Sequence, residues 1–259
     1  MDAIELLFLG TGTSAGIPMI GCHCPVCTSV DPHDSRTRPS VVISYGGTHV
    51  LIDTTPELRL QCVANGVNRI HAVVYTHAHA DHIMGLDDVR RFNAISGGPL
   101  DVWADDRTHK VLSRCFEYAF KAPDPASRLF RPHLEPRTIV GPFDIGGQTW
   151  TPIDLLHGQM PVLGFRVGKL AYCTDVNRIP EESFAKLQGL DVLVLDGLQR
   201  ERHTTHFSLE QAMEAASRIG ARQTYFTHIA HGMAHEATNR SLPENMRLAY
   251  DGQRVTAGI

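Results

Sequence analysis

The chain has 259 residues, a net charge of −4 and 20% charged residues. That length can bury a core of its own without covalent staples. The mild acidic balance excludes a partner held by a broad basic field, so a nucleic-acid partner is not expected.

The opening MDAIELLFLG has an acidic start and a short apolar run, and reads as a strand over Ile4–Leu9 rather than as a secretion signal. No stretch approaches the roughly 20 apolar residues that span a bilayer. A soluble, cytoplasmic protein without a membrane partner is expected. The strand ends in GTGTSAG, whose Gly10, Gly12 and Gly16 miss the G-x-G-x-x-G spacing by one residue, with no GK[ST] following. Nucleotide-cofactor binding is therefore not expected, although the backbone of this loop could approach a phosphate. GCHCPVC comes next, with Cys22, Cys24 and Cys27 at the spacing of a metal knuckle. Cys62, Cys115 and Cys173 stand singly in apolar surroundings and read as buried thiols.

Val41–Tyr45 and His49–Ile52 read as strands joined by the hairpin signal Gly46-Gly47. A helix over Pro56–Ala64 and a buried strand over Ala72–Tyr75 follow, and the strand runs into THAHADH. Asp81 is expected to cap a helix in which Ile83, Leu86, Val89 and Phe92 recur at helical spacing. A strand (Leu100–Trp103), a helix (Thr108–Phe120) and a set of hairpins from Thr138 to Thr174 come next, with turns at Gly146-Gly147 and Gly168-Lys169. Pro180 opens a helix through Leu187, and Asp191–Leu195 is a strand. Ser208-Leu-Glu-Gln211 is a capping box for a helix ending at Gly220. Thr224–Phe226 is a strand, and Asp251-Gly252 predicts a terminal hairpin between Arg247–Tyr250 and Gln253–Val255. With no linker or charge block, these alternating elements describe one α/β domain.

Polar donor residues recur just after strands, where layered α/β folds assemble sites. Fifteen histidines is a high count, and several are clustered in sequence. In THAHADH, His77 and His79 leave the same side of an extended segment, while Asp81 and His82 sit where the helix begins. His157 in DLLHG, Asp175 in YCTDV and His228 in YFTHI each follow a β-type run. Two metals account for the pattern: one held by His77, His79 and His157, the other by Asp81, His82 and His228, with Asp175 bridging. Imidazole and carboxylate donors suit zinc, manganese or iron.

These residues resemble the metallo-β-lactamase superfamily over nearly the whole chain. The resemblance implies an αββα sandwich, a single domain over residues 1–259, with a binuclear site at one edge. Asp53 in LIDTTPE looks like the family's buried aspartate bracing the histidine loop. An aspartate at Asp175 is similar to the hydrolytic phosphodiesterase branches, where true lactamases commonly place cysteine. His206 in HTTHFSLEQ looks like the family's non-ligand histidine that acts as general acid, with His203 the weaker candidate; Asp81 counts as both metal ligand and catalytic residue. C-x-C-x-x-C is similar to the PhnP-type phosphodiesterases, whose structural zinc takes three cysteines and a histidine three residues beyond the last catalytic ligand. Here that position is His231, with His23 and His235 as alternatives.

The resemblance implies a metal-dependent phosphodiesterase acting on a small, potentially cyclic, phosphodiester through a metal-bridging hydroxide. Two divalent metals (Mn or Zn) and one structural Zn are the expected cofactors, and a homodimer is allowed. The rivals are a tRNA 3′-end processing endonuclease, whose glycine- and proline-rich arm is not seen, and a glyoxalase II-like thioester hydrolase, which the cysteine knuckle does not support.

Overall fold

The computed structural model describes residues 3–121 and 130–259. Strand periodicity decides the architecture. In β1 (Ala3–Gly10), Ile4, Leu6 and Phe8 face one hydrophobic cluster while Leu7 and Leu9 face another. The same alternation holds in β2 (Ser40–Tyr45), β3 (Thr48–Ile52) and β4 (Ala72–Val74), as a period of two requires of a strand buried on both sides. With β5 (Leu100–Ala104) and β6 (Leu134–Thr138) these strands form the first sheet. The second sheet contains β7 (Phe143–Ile145), β8 (Gln148–His157), β9 (Met160–Val167), β10 (Leu170–Cys173), β11 (Val192–Asp196), β12 (Gln223–Thr227) and β13 (Met246–Leu248). β14 (Arg254–Gly258) returns to the first sheet, beside β1.

The order of the first sheet is β14-β1-β2-β3-β4-β5-β6 and that of the second is β13-β12-β11-β10-β9-β8-β7. Their inner faces share a core that includes Phe8, Ile43, Ile52, Phe165, Tyr172 and Val194. Burying a side chain such as Phe165 is worth about 1.5–3 kcal/mol. Trp150 Nε1 donates to Tyr45 Oη at 2.8 Å, and that hydroxyl donates to Ile145 O, so a polar pair inside this core stays satisfied. On the outside of the first sheet lie α1 (Leu58–Ala64), α2 (Ala80–Ile83), α3 (Arg90–Ser96), α4 (Asp106–Cys115) and α5 (Glu117–Phe120). α6 (Glu181–Lys186) and α7 (Leu209–Ile219) cover the second sheet, and α8 (His235–Asn239) lies against β13. This is the expected αββα sandwich, a single domain.

Five details depart from the sequence reading. The helix after THAHADH is broken into α2, a 3₁₀ turn at Leu86–Val89 and α3, because Gly85 packs directly on the Thr55 carbonyl and its N–H bonds Thr54 O at 2.9 Å. Asp81 is not the cap: His79 holds that position and Asp81 lies in the first turn. The helix read over Thr108–Phe120 stops at Cys115 and resumes at Glu117, with Phe116 at φ −129°. The terminal hairpin does not form. β13 runs parallel to β12 in one sheet, and the Asp251-Gly252 turn carries the chain across to β14 in the other. The Asp251 carboxylate fixes that crossing by accepting from Thr11 Oγ1, Thr37 N and Thr37 Oγ1, each at 2.7 Å. Cys62 and Cys173 are buried, whereas Cys115 is exposed at the end of α4. No helix among the described residues is long and apolar enough to cross a membrane.

A β-carbon at position 85 would run into the Thr55 carbonyl. Gly85→Ala is accordingly expected to cost about 1–3 kcal/mol, seen as a lower denaturant midpoint at unchanged slope. An unaltered midpoint would show that the backbone yields at no cost.

Candidate metal centre

The C-terminal ends of β3, β4, β8, β10, β11 and β12 open on one edge of the sandwich, and each delivers a polar side chain there. Asp53 follows β3, His77 follows β4, His157 ends β8, Asp175 lies beyond β10, Asp196 ends β11 and His228 follows β12. Among the described residues, the non-glycine residues with left-handed backbone are Asp53 (φ 62°), Asp175 (φ 53°) and His228 (φ 60°). Such conformations cost about 1–3 kcal/mol each and persist where the surroundings enforce them. Here they turn three chains sharply at the sheet edge so that their side chains converge.

The expected donors come together in two groups that share Asp175. Asp81, His82, Asp175 and His228 form one, and His77, His79 and Asp175 another, with donor atoms in each group within 4.8 Å of one another. His82 Nε2 is 3.2 Å from Asp175 Oδ1 and 3.4 Å from Asp81 Oδ2. His228 Nε2 is 3.3 Å from Asp175 Oδ2, and His77 Nε2 is 3.9 Å from the same oxygen. His157 packs its ring 5.1 Å from that of His79, and it also groups with Asp175 and His206. The Nε2 atoms of His77, His82 and His228 are buried without a hydrogen-bond partner. Orphaned imidazole nitrogens that face carboxylate oxygens without making hydrogen bonds to them fit an ion held between them.

Charge accumulates here in buried space. Burial would push the Asp175 carboxyl up, but His228, His82 and His77 outweigh it and hold the group well below the usual carboxylate range. Burial likewise opposes protonation of His82, yet Asp175 and Asp53 hold its pKa well above that of a free imidazole. For His77 burial wins, and with His82 close by its pKa lies well below the ordinary value. His79 is exposed, so the site opens to solvent on its side.

A further layer of acceptors fixes the rings. Asp53 Oδ2 accepts from His82 Nδ1 at 2.7 Å and from Thr76 Oγ1 at 2.8 Å, while its Oδ1 accepts from Thr76 N at 2.9 Å. His157 Nδ1 donates to Thr205 O at 2.7 Å. Thr174 Oγ1 donates to Asp175 Oδ1 at 2.8 Å. These acceptors set which nitrogen of His82 and His157 faces the centre.

His206 is buried with its ring stacked 4.6 Å from that of His228, and its Nδ1 donates to Asp196 Oδ2 at 2.6 Å. The pairing with Asp196 was missed in the sequence, where the only signal is a carboxylate ending the apolar run VLVLD. His203 is exposed and its ring lies 5.2 Å from that of His206. Asn177 was also missed. It accepts from Gly158 N at 2.8 Å and donates to Thr204 O at 3.0 Å, tying together the His157 turn, the Asp175 segment and the loop carrying His206.

The knuckle cysteines meet His231, whose Nδ1 is 3.3 Å from both Cys22 Sγ and Cys24 Sγ; with Cys27 the four donor atoms lie within 4.8 Å of one another. His23 is exposed, and His235 is engaged elsewhere, by Arg36 Nη2 at 3.1 Å and Asn239 Nδ2 at 3.0 Å. The Cys27 N–H and His231 bring the Cys24 thiol down to about 6, whereas burial pushes Cys27 up to about 11. Three sulfurs and one imidazole make a closed set of the kind zinc takes in structural sites. The loop after β1 is paired with the one bearing His231 through Ile229 N to Thr11 O (2.9 Å) and Thr13 N to Ile229 O (3.0 Å).

Residues 48–229 match the model of the "Beta-lactamase superfamily domain". A solved structure of "a New Diphosphatase from the PhnP Family" is 43% identical, superposes with a TM-score of 0.92, and the match covers 99% of this chain and 98% of that one. An octanoyltransferase from Porphyromonas gingivalis is 35% identical over 254 residues, 96% of this chain but 51% of that protein, so the chain spans about half its length. Zinc-bound PqqB from Methylobacterium extorquens shares the fold at 20% identity, with a TM-score of 0.76 over 97% of this chain and 99% of that one.

Asp53 and His82 are both wholly buried. Asp53→Asn leaves His82 without its anionic acceptor and is expected to cost about 3–5 kcal/mol of folding stability, measured by chemical denaturation of the metal-free protein. An unchanged midpoint would show that Thr76 and the surrounding backbone hold the motif without this charge.

Proposed function

We propose that this chain, which belongs to the metallo-β-lactamase superfamily and within it to the PhnP family, is a metal-dependent phosphodiesterase that hydrolyses a small phosphodiester. The observation that carries the reading is the pair of donor groups sharing Asp175, with the His206–Asp196 pair stacked against them. The similarity to a diphosphatase agrees with it, since diphosphate hydrolysis also breaks a bridging bond at phosphorus.

In this reading His77, His79 and His157 would hold one divalent ion and Asp81, His82 and His228 a second, with Asp175 common to both sets. Zinc and manganese both suit the donors. Two such ions, when bound, supply a water acidified enough to attack phosphorus and positive charge for the phosphoryl oxygens. The chain's own residues do the rest. Asp53 and Thr205 keep the His82 and His157 rings in register. Asp196 accepts from the Nδ1–H of His206 and so fixes the ring, whose other nitrogen gives a proton to the departing alkoxide when both ring nitrogens are protonated. Cys22, Cys24, Cys27 and His231 would hold a third ion, a structural zinc, which would fasten the loop after β1 to the loop that follows His228.

Purified protein supplied with Mn²⁺ or Zn²⁺ is expected to hydrolyse bis(p-nitrophenyl) phosphate, and Asp81→Ala to abolish the activity; equal rates for the two proteins would overturn the assignment. His206→Asn is expected to slow esters with alkoxide leaving groups by about 10²–10⁴-fold and p-nitrophenyl esters far less, because p-nitrophenolate departs without a proton. The knuckle is tested separately. Cys24→Ser should carry one metal fewer per chain by elemental analysis and melt at a lower temperature, and an unaltered metal content would remove the structural ion from the proposal.

A further inference from the structure

We propose that Tyr172 and Thr227 are positioning residues for the His206 acid: together with Asp196 Oδ1 they hold one buried water, and through it they fix the carboxylate that orients His206; this rests on the phosphodiesterase reading above. Strand register brings the three side chains together. β10, β11 and β12 are neighbours, with Tyr172 opposite Val194 and Asp196 opposite Thr227. Tyr172 and Val194 belong to the core between the sheets, against which Tyr225 packs, whereas Cys173, Leu195 and Phe226 face the outer cluster. Alternation therefore turns Asp196 and Thr227 to the inner face as well, at the end of the sheet where the centre lies.

Each of the three carries a buried polar atom with no hydrogen-bond partner among the described residues: Tyr172 Oη, Asp196 Oδ1 and Thr227 Oγ1. The other oxygen of Asp196 is in use, accepting from His206 Nδ1 at 2.6 Å and from Val176 N at 2.9 Å. Elsewhere the core satisfies its phenols: Tyr45 Oη bonds Trp150 and Ile145 O, and Tyr75 Oη meets Thr54 Oγ1 at 2.8 Å. Phe165 lies opposite Tyr172 in β9, so this core takes a bare ring, and a hydroxyl left unpaired in it costs about 1–3 kcal/mol. Burial, then Asp53 and Asp175, hold the Tyr172 phenol well above its ordinary pKa, so it keeps its proton and is a donor. Thr174 lies near the phenol, but its own proton goes to Asp175 Oδ1 at 2.8 Å.

Neighbouring strands run about 4.8 Å apart, the span of one water with a hydrogen bond on either side. Buried waters typically make about three bonds to polar groups that otherwise have none. A water here accepts from Tyr172, donates to Asp196 Oδ1 and takes Thr227 Oγ1 as its third partner. Asp196 is then held at both oxygens, and the His206 ring that hangs on it is held against rotation.

The test compares two diesters in the Mn²⁺-loaded protein: adenosine 2′,3′-cyclic phosphate, whose leaving group is an alkoxide, and bis(p-nitrophenyl) phosphate, whose leaving group departs without a proton. Tyr172→Phe is expected to lower the ratio of the two kcat/KM values, cyclic ester over p-nitrophenyl ester, about tenfold, through kcat and not KM, the effect of one hydrogen bond to a charged group. Thr227→Val should move the ratio the same way. In a His206→Asn background neither change should lower it further, because both act through that ring. A crystal structure of the parent protein is expected to show a water bonded to Tyr172 Oη, Asp196 Oδ1 and Thr227 Oγ1. A merely structural effect would lower both rates alike, so an unchanged ratio overturns the assignment; so does a further fall in the His206→Asn background, or a structure without that water. Turnover of the p-nitrophenyl ester alone overturns it and leaves the phosphodiesterase reading intact, whereas hydrolysis of neither ester overturns both.

Discussion

Three imidazoles converge on the Asp175 carboxylate: His77 and His82 from the first sheet and His228 from the second. A buried carboxylate costs several kcal/mol of lost hydration unless compensating groups surround it. Here the compensation comes from both halves of the sandwich at once, so the two sheets must meet at this edge in one alignment. Left-handed backbone at Asp53, Asp175 and His228 follows from the same requirement. Each turn departs from the strand direction at the one point where its side chain can reach the shared centre.

Around that centre the protein builds two ties, each joining segments distant in sequence. Asn177 gathers the His157 turn and the loop of His206. On the other side, Thr11 and Thr13 pair with Ile229, the cysteines meet His231, and the buried Arg36 spans Thr11, Ala249 and His235. Burial lowers Arg36 to about 10, moderated by Asp251 and Asp34 nearby. It also presses on His235, whose pKa falls to about 4 through burial and then through Arg36 itself. His235 thus stays neutral and accepts from Arg36, which separates its role from that of His231 four residues earlier.

Features that rest on local periodicity or a compact motif were legible in the sequence: the alternating strands of both sheets, the hairpins from β7 to β10, the capping box at Ser208, and THAHADH with its distant partners. What was not legible depends on contacts across the fold. Gly85 breaks a helical pattern because it meets Thr55, and helical spacing alone carries no trace of that contact. Asp251-Gly252 has the composition of a hairpin turn, but Thr11 and Thr37 capture the aspartate and send the chain to the opposite sheet. Asp196 and Asn177 are ordinary strand-end and loop residues until their partners are known.

That crossing bears on how the molecule assembles. β14 closes the first sheet against β1, so the edge of one sheet is supplied by residues that come after every strand of the other. The anchoring contact between Thr11 and Asp251 spans 240 positions. Contacts of such separation carry a heavy loop-closure cost and form late. The first sheet can nucleate around its central strands, yet its edge at β1 stays open to solvent, and to other chains, until the second sheet has taken shape. Assembly of the two sheets is thereby ordered in time as well as in space.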